Sequence, residues 1–100
     1  MQITLRYFAG CPNWRLAKER LRTTLESAGL SDAVISLEPV ETHEEAARLG
    51  FRGSPTILVD GRDPFADEST PVGLACRVYA TGDGLQGAPT LDQLRAAIAP

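Results

Sequence analysis

The sequence predicts an α/β domain of the α+β type, with a four-stranded mixed sheet, helices on both faces and the element order β-α-β-α-β-β-α. Three observations predict it. The chain has 100 residues, 43% hydrophobic and 23% charged, which is ordinary for one globular domain. A strand, a helix and a strand follow one another within about forty residues, and two further β-prone runs and a helix pattern follow them. We therefore expect residues 1–100 to form a single domain.

The first three elements form a βαβ unit. Apolar and polar residues alternate over residues 2–8, which predicts a strand. From Pro12 to Gly29 the apolar residues recur every three or four positions, as on one face of a helix, and proline and glycine suit its two ends. A second β-prone run covers residues 33–40. A right-handed crossover makes the two strands parallel, with the helix on one face of the sheet.

The next elements are a short helix and a third strand. Thr42 and Glu45 have capping-box spacing, and Gly50 ends the helix that follows. Residues 57–59 are a compact apolar strand closed by an Asp-Gly turn. Residues 60–75 carry prolines, glycines and four acids, so we expect a long surface loop inserted between the third and fourth strands, mobile or in contact with a partner.

The chain ends with a fourth strand and a third helix. Residues 76–80 alternate again and predict a strand that pairs as a hairpin with the third. Residues 81–89 are glycine-rich and turn-like. Thr90 and Gln93 then form a second capping box at the start of the final helix.

Composition excludes several functional classes. The net charge of −3 disfavours a dedicated nucleic-acid binder, because phosphate contacts need a basic surface. No apolar run is long enough to span a membrane. The N-terminus shows no secretory signal, so a cytoplasmic location is expected. Two cysteines are too few for a disulfide scaffold, so a chemical role for cysteine is favoured over a structural one.

Two motifs carry the candidate chemistry. The stretch Tyr-Phe-Ala-Gly-Cys-Pro-Asn-Trp, residues 7–14, delivers Cys11 from the first strand to the start of the first helix. Gly-Ser-Pro-Thr, residues 53–56, precedes the third strand. Together with the element order, these motifs resemble the thioredoxin-like superfamily, particularly its small glutaredoxin-like members, over residues 2–60 and 76–99. The resemblance implies a sheet in the order 2-1-3-4, a reactive Cys11, and a cis Pro55 facing it.

The first motif departs from the family pattern. Redox members commonly carry Cys-x-x-Cys, whereas Trp14 here stands at the position of the second thiol. This predicts a monothiol mechanism, in which Cys11 attacks a disulfide and an external thiol such as glutathione releases the mixed disulfide. Free amides and the positive end of the helix dipole favour the thiolate at Cys11. The alternative is a cysteine left over from an ancestral motif.

Six residues are candidates for substrate binding. A cis Pro55 would leave the backbone N–H and C=O before it free to pair with an extended substrate. Trp14 is either a substrate platform or a core residue whose N–H needs a partner. A turn at Gly82 and Asp83 is only loosely similar to the glutathione-binding region of glutaredoxins, and a plain turn is the alternative. The candidates are Pro12, Trp14, Ser54, Pro55, Gly82 and Asp83.

The second cysteine is expected to be structural. If the third and fourth strands pair as a hairpin, Cys76 begins the fourth strand at the end of the third strand that is remote from Cys11. At roughly 3.3 Å per residue, the thiols would be on the order of 10 Å or more apart, whereas a disulfide needs Cα atoms within about 7 Å. A buried, apolar Cys76 is therefore predicted. The alternative is that loop 60–75 bends Cys76 back towards Cys11.

The leading functional prediction is a monothiol thiol–disulfide oxidoreductase acting on a thiol or disulfide substrate through Cys11. No resident cofactor or metal, no nucleic acid and no membrane partner is expected. A non-catalytic module that binds a protein partner through Trp14 and the loop surface is the first alternative. Capture of a soft metal by thiolates is the second. An exposed Cys11 at a helix start opposite a cis Pro55 would favour the enzyme.

Overall fold

The computed structural model describes residues 1–99, which form an α+β domain with three helices, a mixed three-stranded sheet and a separate two-stranded sheet. The elements are β1 (Ile3–Tyr7), α1 (Asn13–Ser27), β2 (Ile35–Pro39), α2 (His43–Leu49), β3 (Thr56–Val59), β4 (Tyr79–Thr81), β5 (Gly84–Gln86) and α3 (Leu91–Ile98). Within the described residues, no helix combines the length and the apolar character needed to cross a membrane.

The larger sheet has β1 at its centre. β2 pairs with β1 in parallel, with Ile3 opposite Ile35, and β3 pairs with β1 antiparallel, with Leu5 opposite Ile57. The order β2-β1-β3 agrees with the predicted βαβ unit. Because β3 runs antiparallel to β1, the start of β3 lies beside the end of β1, where the chain turns into α1.

The main core lies between one face of this sheet and two helices. The buried residues of α1 recur at helical spacing, and α3 packs beside α1 on the same side. The cluster consists of Ile3, Leu5, Ala17, Leu21, Leu25, Ile57, Ala88, Leu94 and Ile98. The predicted starts of α2 and α3 are both confirmed: Thr42 Oγ1 accepts from the Glu45 N–H, and Thr90 and Gln93 form a complete capping box.

A second, smaller core holds α2. It buries Val40, Ala46 and Phe51, and Phe8, Leu49 and Leu74 pack against it. Gly50 ends α2 in the left-handed conformation, with φ of 65°.

The predicted four-stranded sheet is wrong. Residues 76–80 do not form a hairpin with β3; instead β4 pairs with β5, a strand that lies in the stretch predicted to be turn-like. The cause is the connection before β4. Loop 60–75 turns tightly at the end of β3, where Val59 and Arg62 form an antiparallel bridge, but no strand pairs with β3 beyond that bridge. The loop instead returns along the domain to the beginning of β3, where Cys76 makes an isolated parallel bridge with Ser54.

Loop 60–75 is largely exposed, but it is tied to the domain along its length. The Gly73 N–H donates to the Phe51 carbonyl at 3.0 Å, and the Arg52 guanidinium donates to the carbonyls of Glu68 and Thr70. Asp60 is tied to Gln2 by a pair of hydrogen bonds. These contacts fix the path that brings Cys76 back.

Candidate functional site

The first part of the site is the turn between β1 and α1. The Cys11 N–H donates to the Phe8 carbonyl at 3.0 Å, and Pro12 is the N-cap of α1 without a capping side chain. Gly10 leaves room for the Phe8 ring in this turn: a Cβ at Gly10 would lie 2.7 Å from the far end of that ring, which would have to move. Cys11 is thus held at the start of α1, as predicted, but its exposed fraction is 0%.

The second part of the site is the segment before β3. The Ser54–Pro55 peptide bond is cis, as the resemblance implies. Cys11 Sγ lies 3.4 Å from the Ser54 carbonyl oxygen, to which it can donate. Ser54 is fully buried, and its hydroxyl has no hydrogen-bond partner among residues 1–99.

The third part is Cys76, and here the sequence-based prediction is wrong. The Cys76 thiol lies 2.8 Å from Cys11 Sγ, not 10 Å or more away. Cys76 is also exposed, not buried among apolar groups. The predicted distance assumed an antiparallel hairpin, whereas the parallel bridge sets Cys76 level with Ser54, next to Cys11. The alternative in which the loop bends Cys76 back describes the molecule.

Two backbone hydrogen bonds hold Cys76 in this position. The Ser54 N–H donates to the Ala75 carbonyl, and the Arg77 N–H donates to the Ser54 carbonyl, both at 2.8 Å. Gly53 allows this close approach: its φ is +110°, and a Cβ there would lie 3.0 Å from Arg77 Cβ. The Ser54 backbone groups expected to pair with a substrate are therefore occupied by the protein's own chain.

Arg77 anchors this segment to the domain. Its side chain is 3% exposed and forms a 2.7 Å ion pair with Asp63 of the loop. It also donates to the Phe65 carbonyl, and its guanidinium lies over the Tyr79 ring at 4.6 Å. A buried guanidinium needs such partners, so the loop, Arg77 and Tyr79 form one connected unit.

Tyr79 connects this unit to the cis proline. Its hydroxyl donates to the Pro55 carbonyl. Burial of the ring raises the pKa of Tyr79, an effect that Arg77 opposes and Asp63 reinforces.

A hydrogen bond connects the two thiols. Cys76 donates its S–H to Cys11 Sγ, and Cys11 can donate in turn to the Ser54 carbonyl. This hydrogen bond to Cys11 is the main cause that raises the pKa of the Cys76 thiol, with smaller contributions from burial and from charge on Cys11. The proton on Cys76 is thus held between the two sulfurs.

The other predicted site residues are placed less centrally. Trp14 is half-buried and stacks on Tyr7 with ring centroids 4.2 Å apart, while its ring N–H is buried without a partner among residues 1–99. Pro12 is exposed at the helix start. Gly82 and Asp83 form the turn between β4 and β5 and face a shallow groove whose lining includes neither cysteine.

Sequence reasoning kept Cys76 as a partner of Cys11 only as the less favoured alternative, and it missed Arg77 altogether. One signal for Arg77 was present: an arginine directly after a cysteine closes a loop that carries four acids. That pattern favours an internal ion pair, although it does not say which acid is the partner.

Neither the protein-family models, nor the curated proteins, nor the solved structures gave a match to this chain. The functional assignment therefore depends on the geometry around the two thiols.

Proposed function

We propose that this protein is a thiol–disulfide oxidoreductase of thioredoxin-like fold, with Cys11 and Cys76 as its reactive dithiol. The observation that carries the proposal is the 2.8 Å separation of the two sulfur atoms. A disulfide bond is about 2.05 Å long, so oxidation requires the sulfurs to approach by less than about 1 Å. The premise of the monothiol prediction, that no second thiol reaches Cys11, is wrong.

The surroundings of the pair support the thioredoxin-like part of the proposal. The strand order β2-β1-β3, the cysteine directly before α1 and the cis Pro55 beside it are the features that the resemblance implies. The separate β4–β5 sheet is the difference from the expected four-stranded arrangement.

The chemistry balances as a two-electron exchange. One protein thiolate attacks a substrate disulfide and forms a mixed disulfide, and the first substrate sulfur leaves as a thiolate that takes a proton from water. The second protein thiol, after losing its proton, attacks the protein sulfur of the mixed disulfide and releases the second substrate thiol. The protein ends as a Cys11–Cys76 disulfide and the substrate as two thiols. An external thiol such as glutathione or a dithiol returns the protein to its reduced form.

The test is oxidation of the reduced protein followed by a turnover assay. Wild type treated with diamide should lose two hydrogens by mass spectrometry, and peptide mapping should give a Cys11–Cys76 link in the monomer. The wild-type protein should also accelerate the reduction of insulin by dithiothreitol. The variants Cys11→Ser and Cys76→Ser should each lose most of that acceleration. Recovery of only intermolecular disulfides or glutathione adducts would contradict the proposal.

One observation favours the rival, a non-catalytic module that binds a protein partner. Residues 75–77 occupy the backbone of Ser54, where a substrate of the expected enzyme would pair. If the protein is such a module, wild type and Cys11→Ser should be equally inactive in the insulin assay. The double variant Cys11→Ser/Cys76→Ser should then retain all partner binding.

A further inference from the structure

Residues 75–77, and not Ser54 as the sequence predicts, form the side of this site that faces a substrate. A residue before a cis proline was expected to offer its backbone to a substrate. Here the N–H and C=O of Ser54 are both used by Ala75 and Arg77 of the protein's own chain. The segment 75–77 therefore lies between Ser54 and any incoming molecule.

The accessibility of the two sulfurs follows from this arrangement. Cys11 is 0% exposed, whereas Cys76 is exposed. A sulfur must be reached by its attacker or its target for thiol–disulfide exchange to occur, so access selects between two adjacent sulfurs. Reaction at Cys11 would first require the segment 75–77 to open locally.

The outer edge of the segment is open for an incoming molecule. In a parallel bridge, the residue opposite Ser54 points its own N–H and C=O away from Ser54. Neither backbone group of Cys76 has a backbone partner within the described part of the chain. Two exposed apolar side chains flank the segment 75–77 in the chain: Val72 precedes it and Val78 follows it.

We propose that Cys76 is the sulfur that bonds to the substrate, and that Cys11 is the inner sulfur that resolves the mixed disulfide. The inference rests on the proposed function and reverses the role that the sequence motif predicts for Cys11. In the reducing direction, the Cys76 thiolate attacks the substrate disulfide and displaces one substrate thiolate. Cys11 then attacks Cys76 Sγ, displaces the second substrate thiolate and forms the internal disulfide.

The reverse reaction uses the same outer sulfur. A substrate thiolate attacks Cys76 Sγ of the oxidised protein, and Cys11 leaves as a thiolate that takes a proton from water. A second substrate thiolate then attacks the substrate sulfur, forms the substrate disulfide and releases Cys76. Electrons thus enter or leave through Cys76 in both directions.

The experiment compares Cys11→Ser and Cys76→Ser with 5,5′-dithiobis(2-nitrobenzoate) as the disulfide, measured at several pH values up to about pH 9. Cys11→Ser should release one equivalent of thionitrobenzoate and keep a stable adduct on Cys76. Cys76→Ser should react at least about tenfold more slowly, because its thiol is buried. Equal rates, or a faster Cys76→Ser, would overturn the inference.

Wild type separates this inference from the proposed function. Release of two equivalents with no lasting adduct is expected of the dithiol, and two lasting adducts would contradict the proposed function. The relative rates of the two single variants still identify the outer sulfur in either case. In concentrated guanidinium both variants should react at the same rate, which shows that the difference arises from the fold.

A direct measurement on wild type protects the test against a variant that fails to fold. Reduced wild type is treated with substoichiometric N-ethylmaleimide, and the first labelled residue is found by peptide mapping. Label on Cys76 supports the inference, and label on Cys11 overturns it.

Discussion

The two cysteine segments reach the same place by different means. Cys11 is delivered by a strand, a glycine turn and a helix start that are consecutive in the chain. Cys76 is delivered by a loop that leaves the end of β3 and returns to its beginning, and it is held there by contacts with distant residues. Cys11 is buried and Cys76 is exposed, so the distant part of the chain provides the accessible sulfur.

The position of Cys76 depends on a side-chain network that Cys11 does not need. The ion pair between Arg77 and Asp63 binds the returning segment to the loop. Tyr79, which packs against Arg77, binds the same segment to Pro55 through its hydroxyl. Disrupting this network should release Cys76 while leaving the turn around Cys11 in place.

The largest effect is expected for Arg77→Met, which removes one partner of a buried ion pair and leaves Asp63 unpaired. The free energy of unfolding of the reduced protein should fall by about 3 kcal/mol, and internal disulfide formation should slow. Urea denaturation and diamide oxidation measure the two effects. Arg6→Met is the matched control: its ion pair with Glu38 is solvent-exposed, so its loss should stay within about 1 kcal/mol. Equal losses for both variants would contradict the role given to Arg77.

Gly53→Ala should have the next largest effect. Its φ of +110° is unfavourable for alanine, and the new Cβ would press on Arg77. A loss of about 2 kcal/mol is expected, together with slower formation of the Cys11–Cys76 disulfide. Gly61→Ala also has a positive φ but meets open space, so it should cost about 1 kcal/mol and leave the oxidation rate unchanged. An unchanged oxidation rate in Gly53→Ala would show that the close approach does not position Cys76.

Tyr79→Phe should cost about 1 kcal/mol, because the buried Pro55 carbonyl loses its donor. It should also change the response to alkali. Burial raises the pKa of Tyr79 in the folded state above its ordinary value of 10.0, so the unfolded state loses this proton first. The stability that Tyr79 contributes is present below pH 10 and is lost as the pH rises above it. The free energy of unfolding, measured by denaturation at a series of pH values above 10, should fall less steeply with pH for Tyr79→Phe than for wild type. Equal slopes for the two proteins would argue against a buried Tyr79.

The smallest effect is expected for Cys11→Ala on the reactivity of Cys76. The hydrogen bond to Cys11 raises the pKa of the Cys76 thiol, so its loss should move the midpoint of Cys76 alkylation by iodoacetamide to lower pH. Cys11→Ser keeps an acceptor oxygen and should shift the midpoint less. A midpoint identical to wild type in Cys11→Ala would mean that Cys76 does not donate to Cys11 in solution.

Much of the fold follows from local patterns. The βαβ unit, the threonine caps of α2 and α3 and the position of Cys11 before α1 were predictable, because alternation, helical spacing and caps depend on residues near in sequence. The fourth strand was misplaced because residues 76–80 do alternate, and a strand pattern does not name its partner. β5 was missed because it has only three residues, begins with Gly84 and is followed by Gly87, so that it gives almost no periodic signal.

Local sequence patterns are enough to place one sulfur: strand β1, the turn closed by the Cys11 N–H to Phe8 carbonyl hydrogen bond, and the start of α1 follow one another in the chain. The second sulfur lies beside it only because of long-range contacts in the folded chain. The direction in which a long loop returns depends on contacts made at a distance, here the Arg77–Asp63 pair and the bridge between Ser54 and Cys76. Such contacts leave no periodic pattern in the chain, and so the change from an expected lone thiol to a thiol pair could be found only in the folded molecule.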